Sequence, residues 1–256
     1  MKFAIFTKID KDVSDVSKIV EEECFKHSFT HDDINPDVVF VLGGDGTFLR
    51  AIHHYIEQLD KIKFVGIRCG TLGFFYEFGP EDVDEAVSLI AKGEVSYSSH
   101  RLIECDLNDK TIFATNEIRF ENPFHTLVCN VKINGVDYEK FHGNGLLVCN
   151  ELGSTAYNKS LGGAVISHDL DALQLTEIST IQNNMFRSLG SSLIVKPETI
   201  FTFEGNFTNV VIGYDHLTCD CNGAKSIEVR SSDKKVSIIH RIGHNYLDNI
   251  KRSFIK

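Results

Sequence analysis

No stretch of the 256 residues approaches the roughly 20 consecutive apolar residues that a membrane-spanning helix needs. A cluster of Lys and Arg is also missing, and the formal charge is −10. Both argue against a nucleic-acid binder, which holds phosphate backbones with clustered cations. There is no exposed amphipathic or polybasic segment for membrane docking. The seven cysteines include no Cys-x-x-Cys pair and are odd in number, so they read as reduced thiols and not as a secreted disulfide framework. His216, Cys219 and Cys221 lack a fourth ligand at zinc-site spacing, and no residue is assigned as a metal ligand. Internal repeats, low-complexity tracts and tryptophan are absent. Residues 1–6 are too short and too strand-like for a signal peptide, so the expected location is cytoplasmic.

What is present is an ordinary globular composition, 42% hydrophobic and 24% charged, with length for one large domain or two modest ones. The first third alternates strand and helix patterns, which favours a parallel sheet. Strand-like runs occupy 2–7, 38–42 and 64–67. Helical spacing links Val13, Val16 and Val20, then Phe48, Leu49, Ile52, Tyr55 and Ile56. Pro80 opens a third helix along Val83, Ala86, Val87 and Ile90, and Gly93 ends it. Beyond residue 94 short alternating runs take over, at 111–118, 126–133, 136–141 and 146–149, then 200–203, 209–214, 226–229 and 235–240. Asn134-Gly135 is a type I′ hairpin signal. The expected domains are 1–95 (α/β) and 96–240 (β-rich), with 241–256 packing back on the first.

Four segments carry chemistry. The apolar run 38–42 stops at Gly43-Gly44-Asp45-Gly46-Thr47, which holds one carboxylate at a strand end between residues without Cβ atoms. Backbone N–H groups there are free to turn toward an anion, which suits phosphoryl transfer, although a tight corner would read the same way. Cys69-Gly70-Thr71-Leu72-Gly73-Phe74-Phe75 is a second glycine-rich turn whose aromatics could stack on a ring or simply fill the core. Thr115-Asn116-Glu117 sets an amide beside a carboxylate, a pair able to grip two ribose hydroxyls or to cap a turn. Residues 153–163 place hydroxyls and Lys159 between glycines, as a nucleotide loop or a polar surface connection would. An acidic chain that binds phosphates needs local cations, backbone N–H groups or a divalent metal, and Mg²⁺ is the expected compensation.

Together these segments resemble the NAD kinase family, which phosphorylates the 2′-hydroxyl of the adenosine ribose of NAD. The resemblance runs over residues 38–195, through Gly43 to Thr47 and on to Arg50-Ala51, Gly70-Thr71-Leu72-Gly73-Phe74, Asn116-Glu117, Gly153 to Tyr157, Ser160 and Gly162-Gly163. It implies an α/β N-terminal nucleotide-binding domain, a β-rich, β-sandwich-like C-terminal domain, and NAD in the cleft between them. Asp45 would be the catalytic base or metal-organising carboxylate, with Gly43, Gly44, Gly46 and Thr47 at the phosphates. Asn116 and Glu117 would bind ribose hydroxyls. The dinucleotide would be lined by Asp45, Gly46, Phe74, His142, Asn144, Leu152, Thr155, Ala156, Tyr157, Asn158, Lys159 and Ser160, with a further polar contact near Asp215-His216. ATP, or polyphosphate, would be the donor, Mg²⁺ the metal, and a homodimer or homotetramer the assembly.

Two departures stand out. Gly143-Asn144-Gly145 replaces the family's Gly-Asp-Gly, and Cys149-Asn150-Glu151-Leu152 replaces a Ser-Thr-Pro-Thr-like run. They motivate one rival reading, a non-catalytic NAD sensor. The other rival is a lipid kinase of the diacylglycerol or sphingosine type, which shares Gly-Gly-Asp-Gly-Thr.

Overall fold

The structure, a computed structural model, describes residues 1–7, 13–70, 73–107, 110–221 and 223–255. Thr71 and Leu72 of the second glycine-rich motif lie outside them. The chain runs β1 (Lys2–Thr7), α1 (Ser14–Lys26), β2 (Thr30–His31), β3 (Val38–Gly43), α2 (Asp45–His54), β4 (Lys63–Arg68) and α3 (Val83–Lys92). It continues through β5 (Val95–Leu107), β6 (Lys110–Ala114), β7 (Glu117–Glu121), β8 (Leu127–Ile133), β9 (Val136–Gly143), β10 (Gly145–Cys149), α4 (Tyr157–Ser160) and β11 (Leu173–Ile178). The rest is β12 (Leu193–Val195), β13 (Phe201–Gly205), β14 (Val211–Tyr214), β15 (Leu217–Asp220), β16 (Ser226–Arg241) and α5 (Tyr246–Ile250). No helix among the described residues is long and apolar enough to cross a membrane.

The first compact unit is Met1–His100 with Lys235–Lys256. Its strands β2, β1, β3, β4 and the end of β16 pair in parallel in that order. β3 is buried along its whole length because both faces of a parallel sheet are covered, which is why Val-Val-Phe-Val-Leu shows no polar alternation. Val38, Phe40 and Leu42 join Val65 and Ile67 against Val20 and Cys24 of α1 and Ala86, Val87 and Ile90 of α3. Phe48 of α2 meets Phe64 of β4 and stacks on Phe75, with centroids 6.0 and 4.8 Å apart. Gly93, at φ +71°, ends α3, and Gly93 and Glu94 N–H groups return to Ile90 and Leu89 carbonyls. The expected helix stripe over α2 stops one residue after His54, where Tyr55 caps it, so Ile56 lies outside the helix.

The second unit is Arg101–Lys234. The units therefore divide five residues later at the first boundary, and six earlier at the second, than the expected 95/96 and 240/241. The cause is that β5 and β16 are long strands whose two ends serve different units; the runs 226–229 and 235–240 are one strand. An antiparallel sheet orders β12, β11, β10, β7, β14 and β15. β16, β13, β8 and β9 pair antiparallel, and β5 pairs with β6. Phe120, Leu146, Val148 and Ile212 of the first sheet share one core with Phe201, Phe203, Cys129 and Phe141 of the second, the rings of Phe120 and Phe203 lying 5.0 Å apart. The fold is thus an α/β N-terminal domain followed by a β-rich one with a sandwich core. Asn134 and Gly135, at φ +51° and +78°, turn β8 into β9 as their sequence predicts.

Candidate active site

The first site is built by two segments of the first unit. The strand end does not hold Asp45; a helix does. β3 ends at Gly43, Gly44 is the N-cap in extended backbone, and Asp45 is the first residue of α2. A carboxylate there suits the positive end of the helix dipole. None of Gly43, Gly44 and Gly46 has positive φ, so backbone conformation does not require them, and space requires Gly43. A Cβ on Gly43 would overlap the buried Thr47 side chain, whereas the same atom on Gly46 would meet open space.

The half-buried Asp45 carboxylate is clamped from the second glycine-rich segment. Phe74 N–H donates to Oδ1 at 2.8 Å and to Oδ2 at 3.0 Å, and Phe75 N–H donates to Oδ1 at 3.2 Å. Tyr76 Oη donates to Gly44 O at 2.8 Å. That segment is itself held by the C-terminal residues. Asn249 Nδ2 donates to Phe74 O, and Arg252 Nη2 donates to Tyr76 O and Asn249 Oδ1, each at 3.2 Å. The Phe74 ring packs on Phe254 and Tyr246, at 5.3 and 6.2 Å. Burial raises the Asp45 pKa, against the opposing pull of the Phe74 and Phe75 N–H groups and of Arg252. The carboxylate lines a pocket of about 350 Å³ together with Gly43, Gly44, Gly46, Thr47, Arg50, Cys69 and Gly70. Arg50, one turn beyond Thr47, brings a cation whose buried Nε has no hydrogen-bond partner. Sequence reading gave Arg50 and Arg252 no place in the site. Helical spacing from Asp45 could have signalled the first; nothing local signals the second.

The second site belongs to the second unit. The run 111–118, expected as one strand, is broken at Thr115-Asn116 between β6 and β7. The two N–H groups that a ladder would use go instead to the Asp215 carboxylate, at 2.7 Å each. Asp215 sits at φ +49° in the turn between β14 and β15, a conformation that Asp tolerates better than most residues. Asn150 completes the break: Nδ2 donates to Arg101 O and Thr115 O, and Oδ1 accepts from Gly153 N–H at 3.0 Å. A Cβ on Gly153 would overlap Asn116 O, so this glycine is required by close approach of two backbones.

The break leaves buried polar atoms unused. Asn116 Oδ1, Thr115 Oγ1 and Glu117 Oε2 are buried without a partner. Glu117 Oε1 accepts from Arg119 Nη1 at 3.3 Å. Burial, and next the Asp215 charge, push Glu117 up to about 8, against Arg119. The fold therefore prefers Glu117 protonated. Stability from this group is full below its ordinary pKa near 4.5 and is lost as pH rises toward 8. Urea unfolding of wild type between pH 5 and 8 is expected to show stability falling with pH relative to Glu117→Gln, and parallel curves would exclude the shift.

The loop 153–163 lies on the face of β10 and β11 away from the sandwich core. Leu161 packs on Leu147, Cys149 and Ile178. Asn158 is fully buried; its Nδ2 donates to Ser154 O and Ala164 O, and its Oδ1 accepts from Thr176 Oγ1 at 2.7 Å. Its polar atoms are thereby engaged in shaping the loop. Leu152 is buried, Thr155 Oγ1 donates to Leu152 O, and Ala156 is half-buried. Tyr157, Lys159 and Ser160 are exposed, with the Arg119 guanidinium 5.5 Å from the Tyr157 ring. His142 Nδ1 donates to Lys140 O at 3.0 Å and its ring stacks on Phe186. Glu151 is buried at 3% exposure and does not point to solvent.

Asn144 links β9 to β10, and its amide has structural work that Asp could not do. Its backbone exchanges bonds with Asn122 and Ile178, and Nδ2 donates to Asn122 O at 3.2 Å. Asn144→Asp turns that donor into an acceptor facing a carbonyl. A loss of about 1–2 kcal/mol is expected in calorimetric unfolding. All seven cysteines are free, and among the described residues His216, Cys219 and Cys221 do not share a metal-sized centre.

The comparisons follow the same outline. A family model described as the ATP-NAD kinase N-terminal domain matches residues 8–95. NAD kinase 1 of Bacillus cereus is 34% identical over 262 residues, covering 100% of this chain and 99% of its own. NAD kinase 1 of Listeria monocytogenes is 34% identical over 264 residues, covering 100% of both. Among solved structures, an NAD kinase from Archaeoglobus fulgidus in complex with ATP superposes with a TM-score of 0.80 at 21% identity, covering 98% of this chain and 99% of that one. Yeast NADH kinase complexed with NADH gives a TM-score of 0.82 at 18% identity, over 98% and 86% of the two chains. With full-length relatives at this identity and the same fold throughout, the chain belongs to the NAD kinase family.

Proposed function

We propose that this chain transfers the γ-phosphoryl group of ATP to the 2′-hydroxyl of the adenosine ribose of NAD, giving NADP and ADP. The observation that carries the reading is the Asp45 carboxylate, fixed by three backbone N–H contacts at the first turn of α2 in an open pocket. Oδ1 accepts two of those contacts and Oδ2 only one, so Oδ2 is the oxygen with more lone-pair capacity left to take a proton. The hydroxyl oxygen forms a bond to the γ-phosphorus in line as the bond from that phosphorus to the leaving ADP oxygen breaks. The hydroxyl proton passes to Asp45 Oδ2, and the raised pKa of a buried carboxylate favours that step. Gly43, Gly44, Gly46 and Thr47 surround the phosphates, the α2 N-terminus attracts their charge, and Arg50 supplies a local cation to an otherwise acidic chain.

Mg²⁺ fits this pocket as an ion held mainly by its substrate, since Asp45 is the one carboxylate in the lining and most of its lone pairs are taken. When bound, it would neutralise charge on the donor phosphates. In the second unit, Asn116 and Glu117 take ribose hydroxyls, whose bonds relieve the cost of the buried Asn116 Oδ1 and Glu117 Oε2. A protonated Glu117 both donates and accepts there. Thr155, Ala156, Tyr157 and Ser160 line the remainder of the dinucleotide, with His142, Asn144, Leu152 and Lys159 as flanking contacts and Asn158 shaping the loop. Phe74 contributes through its backbone. The same reading takes the enzyme to be a cytoplasmic homo-oligomer, a state that light scattering measures.

Incubation with NAD, ATP and Mg²⁺, followed by assay for NADP, tests the reading, with a polyphosphate arm for the donor. NADP formation is expected. NAD binding without product would favour a sensor, and phosphorylation of diacylglycerol or sphingosine in place of NAD a lipid kinase.

A further inference from the structure

Three side chains outside the Asp45 pocket converge within the first unit. His240 lies near the end of β16, and His244 follows the turn at Gly243 (φ +86°). Their rings stack with centroids 4.2 Å apart and planes 11° apart, so both Nδ1 lone pairs meet at one ion only when one ring turns out of the stack. Both direct Nδ1 at one atom, Glu77 Oε2, at 3.3 Å from His240 and 3.2 Å from His244. The Arg241 backbone N–H points at the same oxygen from 3.2 Å. Three nitrogens thus crowd one carboxylate oxygen, more than its two lone pairs serve well.

The spacing is that of weak hydrogen bonds and also that of a ligand set. A charge-assisted N–H···O⁻ bond closes to about 2.7–2.9 Å, and these contacts are longer. Atoms bound at about 2.0–2.1 Å in a tetrahedron around zinc lie roughly 3.3 Å from one another, and the two nitrogen–oxygen separations are 3.3 and 3.2 Å, with all three ligand atoms within 4.8 Å of one another. The surroundings suit a ligand set. The side chains of Glu77, His240 and His244 are 17%, 14% and 17% exposed, so an ion could enter but would be largely shielded. Ser98 Oγ lies 2.8 Å from His240 Nε2, on the far side of the ring, where partners that orient metal-bound histidines sit.

We infer that Glu77, His240 and His244 form a site for one divalent transition-metal ion of the zinc class, with a fourth position open to water. Two imidazoles and one carboxylate favour zinc, iron, cobalt or nickel over magnesium or calcium, which take oxygen ligands. The site is therefore independent of the Mg²⁺ invoked at the phosphates. Its place in the unit gives it a structural role: the ion would staple β16 to residue 77, directly after the segment whose amides hold Asp45.

The test uses the full chain, stripped with a chelator and dialysed, then titrated with Zn²⁺ by calorimetry and with Co²⁺ by visible absorption. One equivalent is expected, with a cobalt spectrum free of thiolate charge-transfer bands and a higher Tm in Zn²⁺ than in chelator. Glu77→Gln and His244→Asn should each weaken binding tenfold or more, the double variant His240→Asn with His244→Asn should abolish it, and Ser98→Ala should cost about tenfold. Absence of stoichiometric uptake by wild type would overturn the assignment. So would uptake that the folded double variant retains, or a cobalt spectrum dominated by thiolate bands. Because the wild-type titration alone is decisive, misfolding of a variant does not shield the idea.

Discussion

Asp45→Asn lowers kcat about 10³-fold while leaving KM for NAD and the unfolding temperature nearly unchanged; that is the expected result, and it is the largest effect the site predicts. A positioned general base contributes roughly 10²- to 10⁴-fold, and the isosteric amide removes it without removing its shape. The asparagine oxygen can still accept from the Phe74 and Phe75 N–H groups, so the clamp on residues 73–76 survives. Asp45→Ala is expected to lose the same turnover and also stability, by about 1–3 kcal/mol, because those two N–H groups are left without their acceptor. Steady-state kinetics and calorimetry on both variants separate the contributions. Near-normal turnover in either one would remove the carboxylate from the mechanism.

The second large effect is at Asp215. Its two oxygens accept the buried N–H groups of Thr115 and Asn116 at 2.7 Å, and those residues have no ladder partner at the break between β6 and β7. Asp215→Ala leaves two buried donors unpaired, a cost on the order of 2–6 kcal/mol. For a chain of this size the unfolding temperature should fall by about 10 °C. Asp215→Asn should recover about half, since one oxygen still accepts while the amide faces an N–H donor. NAD affinity should fall with both variants, because the same bonds fix the backbone that carries Asn116 and Glu117. An unchanged unfolding temperature in Asp215→Ala would show that these amides do not depend on the carboxylate.

Much of this is legible in the chain. The apolar run of β3, the helical spacing along α3, the Gly93 stop and the Asn134-Gly135 turn all act through near neighbours, where period and turn chemistry decide conformation. Asp45 is legible because only glycines flank it, although the helix that starts at Asp45 is not, since Gly44 and Gly46 argue locally for a turn. The break at Thr115-Asn116 is hidden inside an alternating run, because the residue that causes it is Asp215, on another hairpin. Asn144 reads as a departure from the family pattern, and only its contact with Asn122 O supplies a reason.

Sequence by itself determined the order of the domains, the α/β-then-β character and the family, since each depends on local periodicity or on short motifs whose atoms are neighbours in the chain. Tertiary structure alone decided which partner holds each functional group: Phe74 and Phe75 on Asp45, Asp215 beneath Asn116, and His240 with His244 around Glu77. These are contacts between residues far apart in the chain. Their geometry is set by how strands and helices pack, and hydrogen bonds and ligand sets leave no periodic trace in the amino acids that make them.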